Sequence, residues 1–145
     1  MSDFFVAVGD HVSFAKTVGE SDVYLFAGIT GDFSGNHVNE AFMATTAYGR
    51  RIAHGALLVG YMSSASSLMV EKCQGISEDE TPVSLGYDRI RFLAPVFIGD
   101  TITVRYRISA IDPERRRSTG DIEVVNQKSE TVAIAQHVMK WVANR

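Results

Sequence analysis

Asp32 and His37 stand five residues apart within Ile29-Thr30-Gly31-Asp32-Phe33-Ser34-Gly35-Asn36-His37. A carboxylate and an imidazole on one tight loop can converge on a single water. One group then removes a proton while the other supplies one, which is general acid–base chemistry. Spacing alone is equally satisfied by local structure, with the aspartate as a turn or cap and the histidine as a hydrogen-bonded packing residue. A second feature adds weight. His54-Gly55 begins close to the start of the longest uncharged stretch, Ala53 to Val70. A helix starting there presents unpaired N–H groups and the positive end of its dipole. Gly55 has no side chain, so a ligand can approach its backbone closely. A carbonyl oxygen placed there gains oxyanion stabilisation of about 2.7–4 kcal/mol per donor. Gly55 equally permits tight helix packing, and the two readings are compatible.

These groups need elements to hold them. His11 to Val18 reads as a first strand. Ser21 is the expected cap of a helix to about Thr30, with Val23, Phe26, Ala27 and Thr30 at the spacing of one buried stripe. Gly31, Asp32, Ser34, Gly35 and Asn36 then break the periodicity and mark a shaped loop, after which Asn39 can cap a short helix through Ala44. From His54 to about Glu71 comes the longest helix. Leu57, Leu58, Tyr61, Ala65, Leu68 and Met69 are expected on its buried arc, with Ser63, Ser64, Ser66 and Ser67 mostly elsewhere. Four strands follow: Val83–Phe92, Thr101–Ile111, Thr119–Asn126 and Glu130–Val142. Short connections between alternating strands imply an antiparallel sheet. A single long apolar helix needs a curved sheet to cover it, so the fold class is α+β with one buried helix.

Composition narrows the partners. The 145 residues suit one domain, 1–145, and 46% hydrophobic with 21% charged residues is an ordinary globular balance. A net charge of −3 argues against nucleic acid, because phosphate binding needs a basic excess. The basic run Arg115-Arg116-Arg117 reads either as a solvated hairpin tip or as a contact to a phosphorylated cofactor. Cys73 is the single cysteine, which excludes an intrachain disulfide and a thiolate metal cluster and suits a reducing cytoplasm. The start, Met-Ser-Asp-Phe-Phe, lacks the basic and apolar regions of a leader peptide. The Ala53–Val70 stretch is too polar and short for a membrane span. A soluble cytoplasmic protein without membrane association, metal or cofactor is expected.

Phe26-Ala27-Gly28-Ile29-Thr30-Gly31-Asp32-Phe33-Ser34-Gly35-Asn36-His37-Val38-Asn39, followed by Arg51-Ile52-Ala53-His54-Gly55, resembles the signature of MaoC-like dehydratases and (R)-specific enoyl-CoA hydratases (hydratase 2). The family form is (F/Y)-A-x-x-(S/T)-G-D-x-N-P-x-H-x-D, then (I/V)-x-H-G. Phe92-Leu93-Ala94-Pro95-Val96-Phe97-Ile98-Gly99-Asp100 is similar to its F-x-x-P-V-x-x-G-D turn. The resemblance implies a hot-dog fold, usually dimeric or a dimer-based oligomer. It implies reversible hydration of a trans-2-enoyl thioester, carried on coenzyme A or acyl carrier protein, to the (R)-3-hydroxyacyl thioester. On this likeness Asp32 and His37 fall on the catalytic pair and Gly55 on the donor to the thioester carbonyl. Ser63 falls on a helix serine near the site, or is simply a small packing residue. Ser34, His54 and Ser63 are the expected substrate-binding residues.

The chain also departs from that pattern. Ser34-Gly35 stands where Asn-Pro is usual, and glycine frees a torsion that proline would fix. Asn36 replaces a usually apolar residue and Arg51 a common proline. Two rivals follow. A hot-dog thioesterase would use a carboxylate on the long helix, which has no acid between His54 and Val70. A non-catalytic acyl-thioester-binding subunit is suggested by the altered Ser34-Gly35.

Overall fold

The computed structural model describes residues 4–72 and 78–145. Cys73 and residues 1–3, on which the disulfide reading and part of the leader reading rest, lie outside them. In chain order the elements are β1 (His11–Thr17), α1 (Glu20–Thr30), α2 (Gly35–Val38), α3 (Glu40–Met43), α4 (Gly55–Lys72), β2 (Glu80–Phe92), β3 (Thr101–Asp112), β4 (Arg117–Val125) and β5 (Thr131–Ala143).

Alternation in β3 sets the sheet's inner face. Ile102, Val104, Tyr106 and Ile108 are buried, while Arg105, Arg107 and Ser109 point to water. The five strands form one antiparallel sheet in the order β1-β3-β4-β5-β2. Register shifts in the β2–β5, β3–β4 and β4–β5 pairings bend it, because a bulge adds a residue to one strand and increases its twist. Helix α4 packs on β1 and β3. This is a hot-dog arrangement, one long helix held by a curved sheet. Among the described residues no helix is long and apolar enough to cross a membrane.

Two expectations need correction. Buried positions on α4 recur as adjacent pairs, Leu57/Leu58, Tyr61/Met62, Ala65/Ser66 and Met69/Val70. The stripe is thus rotated from the expected arc: Leu68 faces out at 36% exposure and Ser66 faces in at 5%. Burial of Ser66 is tolerated because its hydroxyl donates to the Ser63 carbonyl at 2.7 Å. In α1, Gly19 rather than Ser21 is the N-cap. The Asp22 carboxylate reaches back to accept the Gly19 N–H at 2.7 Å and also binds Lys16 Nζ at 2.9 Å. Thr30 is exposed, so the buried stripe of α1 rests on Val23 and Ala27.

Within the basic run, Arg116 is held by protein partners. Its guanidinium holds both Glu80 carboxylate oxygens and lies over the Phe4 and Phe5 rings. It fastens the β3–β4 turn to the start of β2, a structural contact. Deeper in the sheet, Tyr106 lies across Gly120 on β4 so that its hydroxyl meets His137 Nδ1 on β5 at 2.8 Å. A methyl at Gly120 would sit 2.3 Å from the Tyr106 ring, so only glycine fits beneath it. Ser84 Oγ engages the other imidazole nitrogen at 2.8 Å. Burial pushes the His137 pKa down to about 4, holding the ring neutral.

Candidate active site

Helix α1 ends at Gly31, whose φ of 82° is a left-handed C-cap that glycine adopts without strain. The chain then folds tightly. Asp32 Oδ1 accepts the Ser34 N–H at 3.3 Å, and the Ser34 carbonyl accepts the His37 N–H at 2.9 Å. The loop therefore contains the short helix α2, which carries His37. The looseness expected from Gly35 is offset by these bonds and by Asn39 N–H on the Gly35 carbonyl at 2.9 Å. Asn39 Oδ1 caps α3 by accepting the Phe42 N–H at 3.0 Å, as its sequence position suggested.

His37 is 8% exposed, and its Nδ1 lies 2.8 Å from the Ile52 carbonyl. A carbonyl can only accept, so Nδ1 carries the hydrogen and Nε2 of the neutral ring is left as a base. The same segment returns a bond from Ile52 N–H to the Asn36 carbonyl at 2.9 Å. His54, only 1% exposed, donates from Nε2 to the Asp32 carbonyl at 2.9 Å. Its ring stacks on His37 with centroids 3.8 Å apart and 26° between planes, and the Phe26 ring meets it at 4.7 Å, tilted by 56°.

Ligating atoms of Asp32, His37 and His54 lie within 4.8 Å of one another. Groups this close can touch one small molecule between them. Nδ1 of His37 and Nε2 of His54 are committed to carbonyls, which leaves one nitrogen on each ring, and that of His54 is buried without a hydrogen-bond partner.

A cleft of about 330 Å³ opens beside His37. Asn36, His37, Ile52 and Gly55 line it together with Phe92 to Val96. Gly55 begins α4, where first-turn N–H groups have no preceding helical carbonyl to bind. The space freed by its missing side chain is occupied: a Cβ there would meet the Phe92 ring at 2.6–2.8 Å. Phe92 is itself 54% exposed, so this cover over the helix terminus is a side chain able to swing into solvent.

The expected substrate-binding residues are less uniform. His54 lies behind the cleft wall and touches the Asp32 loop. Ser34 is exposed and holds His37 through its main chain, with no side-chain capping bond. Ser63 is an exposed α4 residue whose carbonyl accepts the Ser66 hydroxyl. The structure thus brings Asp32, His37 and His54 together, sets Gly55 on the adjoining cleft, and gives Ser34 and Ser63 other contacts. Asn36 lines the cleft, with its Oδ1 buried and unpartnered.

Sequence reading missed two contributors. The Ile52 carbonyl fixes the His37 tautomer, and no side-chain signal marks a main-chain acceptor. Phe92 covers Gly55; its place in the F-x-x-P-V motif was visible, but its contact across 37 residues was not.

The chain is similar to known proteins in sequence and in fold. A family profile described as "MaoC like domain" matches residues 4–132. The chain is 37% identical over 108 residues to an (R)-specific enoyl-CoA hydratase of Rhodospirillum rubrum, covering 74% of this chain and 69% of that protein. It is 30% identical over 140 residues to an (R)-specific enoyl-CoA hydratase of Aeromonas caviae, covering 97% and 98% of the two chains. The solved (R)-hydratase of A. caviae involved in PHA biosynthesis superposes with a TM-score of 0.81 at 29% identity, over 93% of this chain and 96% of that one.

Proposed function

The chain belongs to the MaoC-like domain family, and from that premise we propose that it is a hydro-lyase acting on trans-2-enoyl thioesters to give (R)-3-hydroxyacyl thioesters. What supports the reading is the gathering of the Asp32 carboxylate and the His37 imidazole, with ligating atoms within 4.8 Å of each other, beside a cleft lined by His37 and by Gly55 at the start of α4.

In this mechanism the thioester carbonyl displaces the Phe92 ring and accepts the Gly55 N–H. A water held between Asp32 and His37 Nε2 adds its oxygen to the β-carbon. One of the two side chains takes its proton, while the α-carbon receives a proton on the same face. Negative charge collects on the thioester oxygen as the β-carbon bond forms, where the helix terminus stabilises it. Removing the same groups in reverse order is dehydration, so the two directions share one site. His54 contributes by holding the Asp32 carbonyl, a positioning role rather than substrate contact.

Loss of the conjugated enoyl-thioester absorbance on crotonyl-CoA and longer homologues, with chiral analysis of the product, tests the proposal. No turnover of any enoyl-CoA or enoyl-acyl-carrier-protein at high enzyme concentration would refute it. We further propose a homodimer or dimer-based assembly. Strand β2 is a 13-residue sheet edge with exposed Val83 and Leu85, an edge of the kind that proteins cover. Light scattering after size exclusion measures the mass; a monomer at micromolar concentration would contradict it.

A further inference from the structure

Arg51 is 12% exposed, far more enclosed than a surface arginine, and three of its nitrogens are engaged. Nε donates to Glu40 Oε2, one terminal nitrogen to the Tyr24 hydroxyl and the other to Glu20 Oε1. Glu20 and Tyr24 belong to α1, whose far end leads into Asp32. Glu40 opens α3, which follows α2 and His37. The residue after Arg51 is Ile52, whose carbonyl orients the His37 imidazole and whose N–H binds Asn36.

We infer that Arg51 is a positioning residue for the Asp32–His37 pair, its guanidinium clamping α1 and α3 to the strand-like segment that supplies the His37 hydrogen-bond acceptor. This rests on the proposed hydration chemistry and adds to it a residue lying outside the cleft. A planar fork reaches three acceptors on two helices at once, whereas an ammonium is a point donor and cannot reproduce the arrangement. Without the cation, Glu20 and Glu40 lose the charge that joins them. The helices are then free to shift, and with them the separation of the acid–base pair. A misplacement of about 1 Å is enough to cost roughly a hundredfold in rate. Proline at this position could not form such a clamp, having neither charge nor donor.

Arg51→Met and Arg51→Lys are assayed for kcat and KM with crotonyl-CoA, alongside long-range ¹H–¹⁵N spectra of the histidine rings. Expected for Arg51→Met is a kcat about tenfold or more below wild type, with KM changed by no more than about twofold. The His37 ring, uniform in its Nδ1–H tautomer in the wild type, should become a tautomer mixture. Arg51→Lys should fall between the two. Wild-type kcat and an unchanged His37 spectrum in folded Arg51→Met would overturn the inference. So would a kcat loss in both variants that merely follows the unfolded fraction. If the wild type hydrates no enoyl thioester, the functional proposal fails while the His37 spectra still decide whether Arg51 positions the ring.

Discussion

His37 and His54 are laced together by crossed hydrogen bonds: each ring donates to a main-chain carbonyl in the other's segment. His37 Nδ1 reaches Ile52, and His54 Nε2 reaches Asp32, while the rings stack at 3.8 Å. Neither ring can turn over without breaking its bond to a carbonyl, at a net cost of about 0.5–1.5 kcal/mol. The loop bearing Asp32 and the entry to α4 are thereby one rigid unit.

Breaking one lace isolates its contribution. His54→Phe keeps a ring against His37 and removes only the donor to the Asp32 carbonyl. Its kcat should drop about tenfold with a modest rise in KM, as expected when a reacting group is slightly misplaced. Steady-state kinetics beside a thermal melt measure it; unchanged kcat in a folded variant would remove His54 from the positioning framework.

Asp32→Asn and His37→Gln should each abolish measurable hydration while shifting thermal stability little. Asp32 is exposed. Glutamine retains an amide donor toward Ile52 but offers no ring base. Full activity in either variant would show the acid–base assignment to be wrong.

Gly55 is bounded by Phe92, and a double substitution separates its two possible duties. Gly55→Ala should push the exposed Phe92 ring aside with a stability change below about 1 kcal/mol, yet lower kcat/KM at least tenfold by crowding the helix terminus. In Gly55→Ala/Phe92→Ala the room returns and the loss should persist. Recovery of full activity in the double variant would mean that glycine serves only to seat Phe92.

His137 makes stability depend on pH in a stated direction. Its folded pKa, about 4, is below the ordinary 6.5, so the unfolded chain takes up a proton that the folded chain refuses between those values. Stability is then complete above pH 6.5 and falls as pH drops toward 4, by up to about 3 kcal/mol from this group. Denaturant titrations across that range should show the decline, and His137→Gln should flatten it. An equal slope in both proteins would assign the effect to other groups.

Local periodicity made much of this molecule legible. Alternation in β3 and the uncharged run that becomes α4 both follow from short-range burial, and they give the α+β arrangement directly. The Asp32/His37 spacing was equally visible, because one loop carries both. Features that depend on distant partners were not. Asp22 displaced Ser21 from the cap of α1 because a carboxylate at N3 can also reach Lys16. The inward turn of Ser66 depends on a carbonyl one helical turn away. Arg51 stood out only as a charged residue where proline is common; its partners lie 31, 27 and 11 residues off in sequence, beyond any local pattern.

The residues at and around the cleft fall into two groups of different origin, and this divides labour. Asp32, His37 and His54 are bound into a network of main-chain acceptors that tolerates little change. The segment Phe92 to Val96 contributes Phe92 and Leu93, whose side chains are more than half exposed. Substitutions there can reshape what the cleft admits while the proton-handling side stays as built. Selectivity is thus free to drift in evolution on a fixed chemical chassis, and a directed search for new acyl preferences has its natural starting point at those two residues.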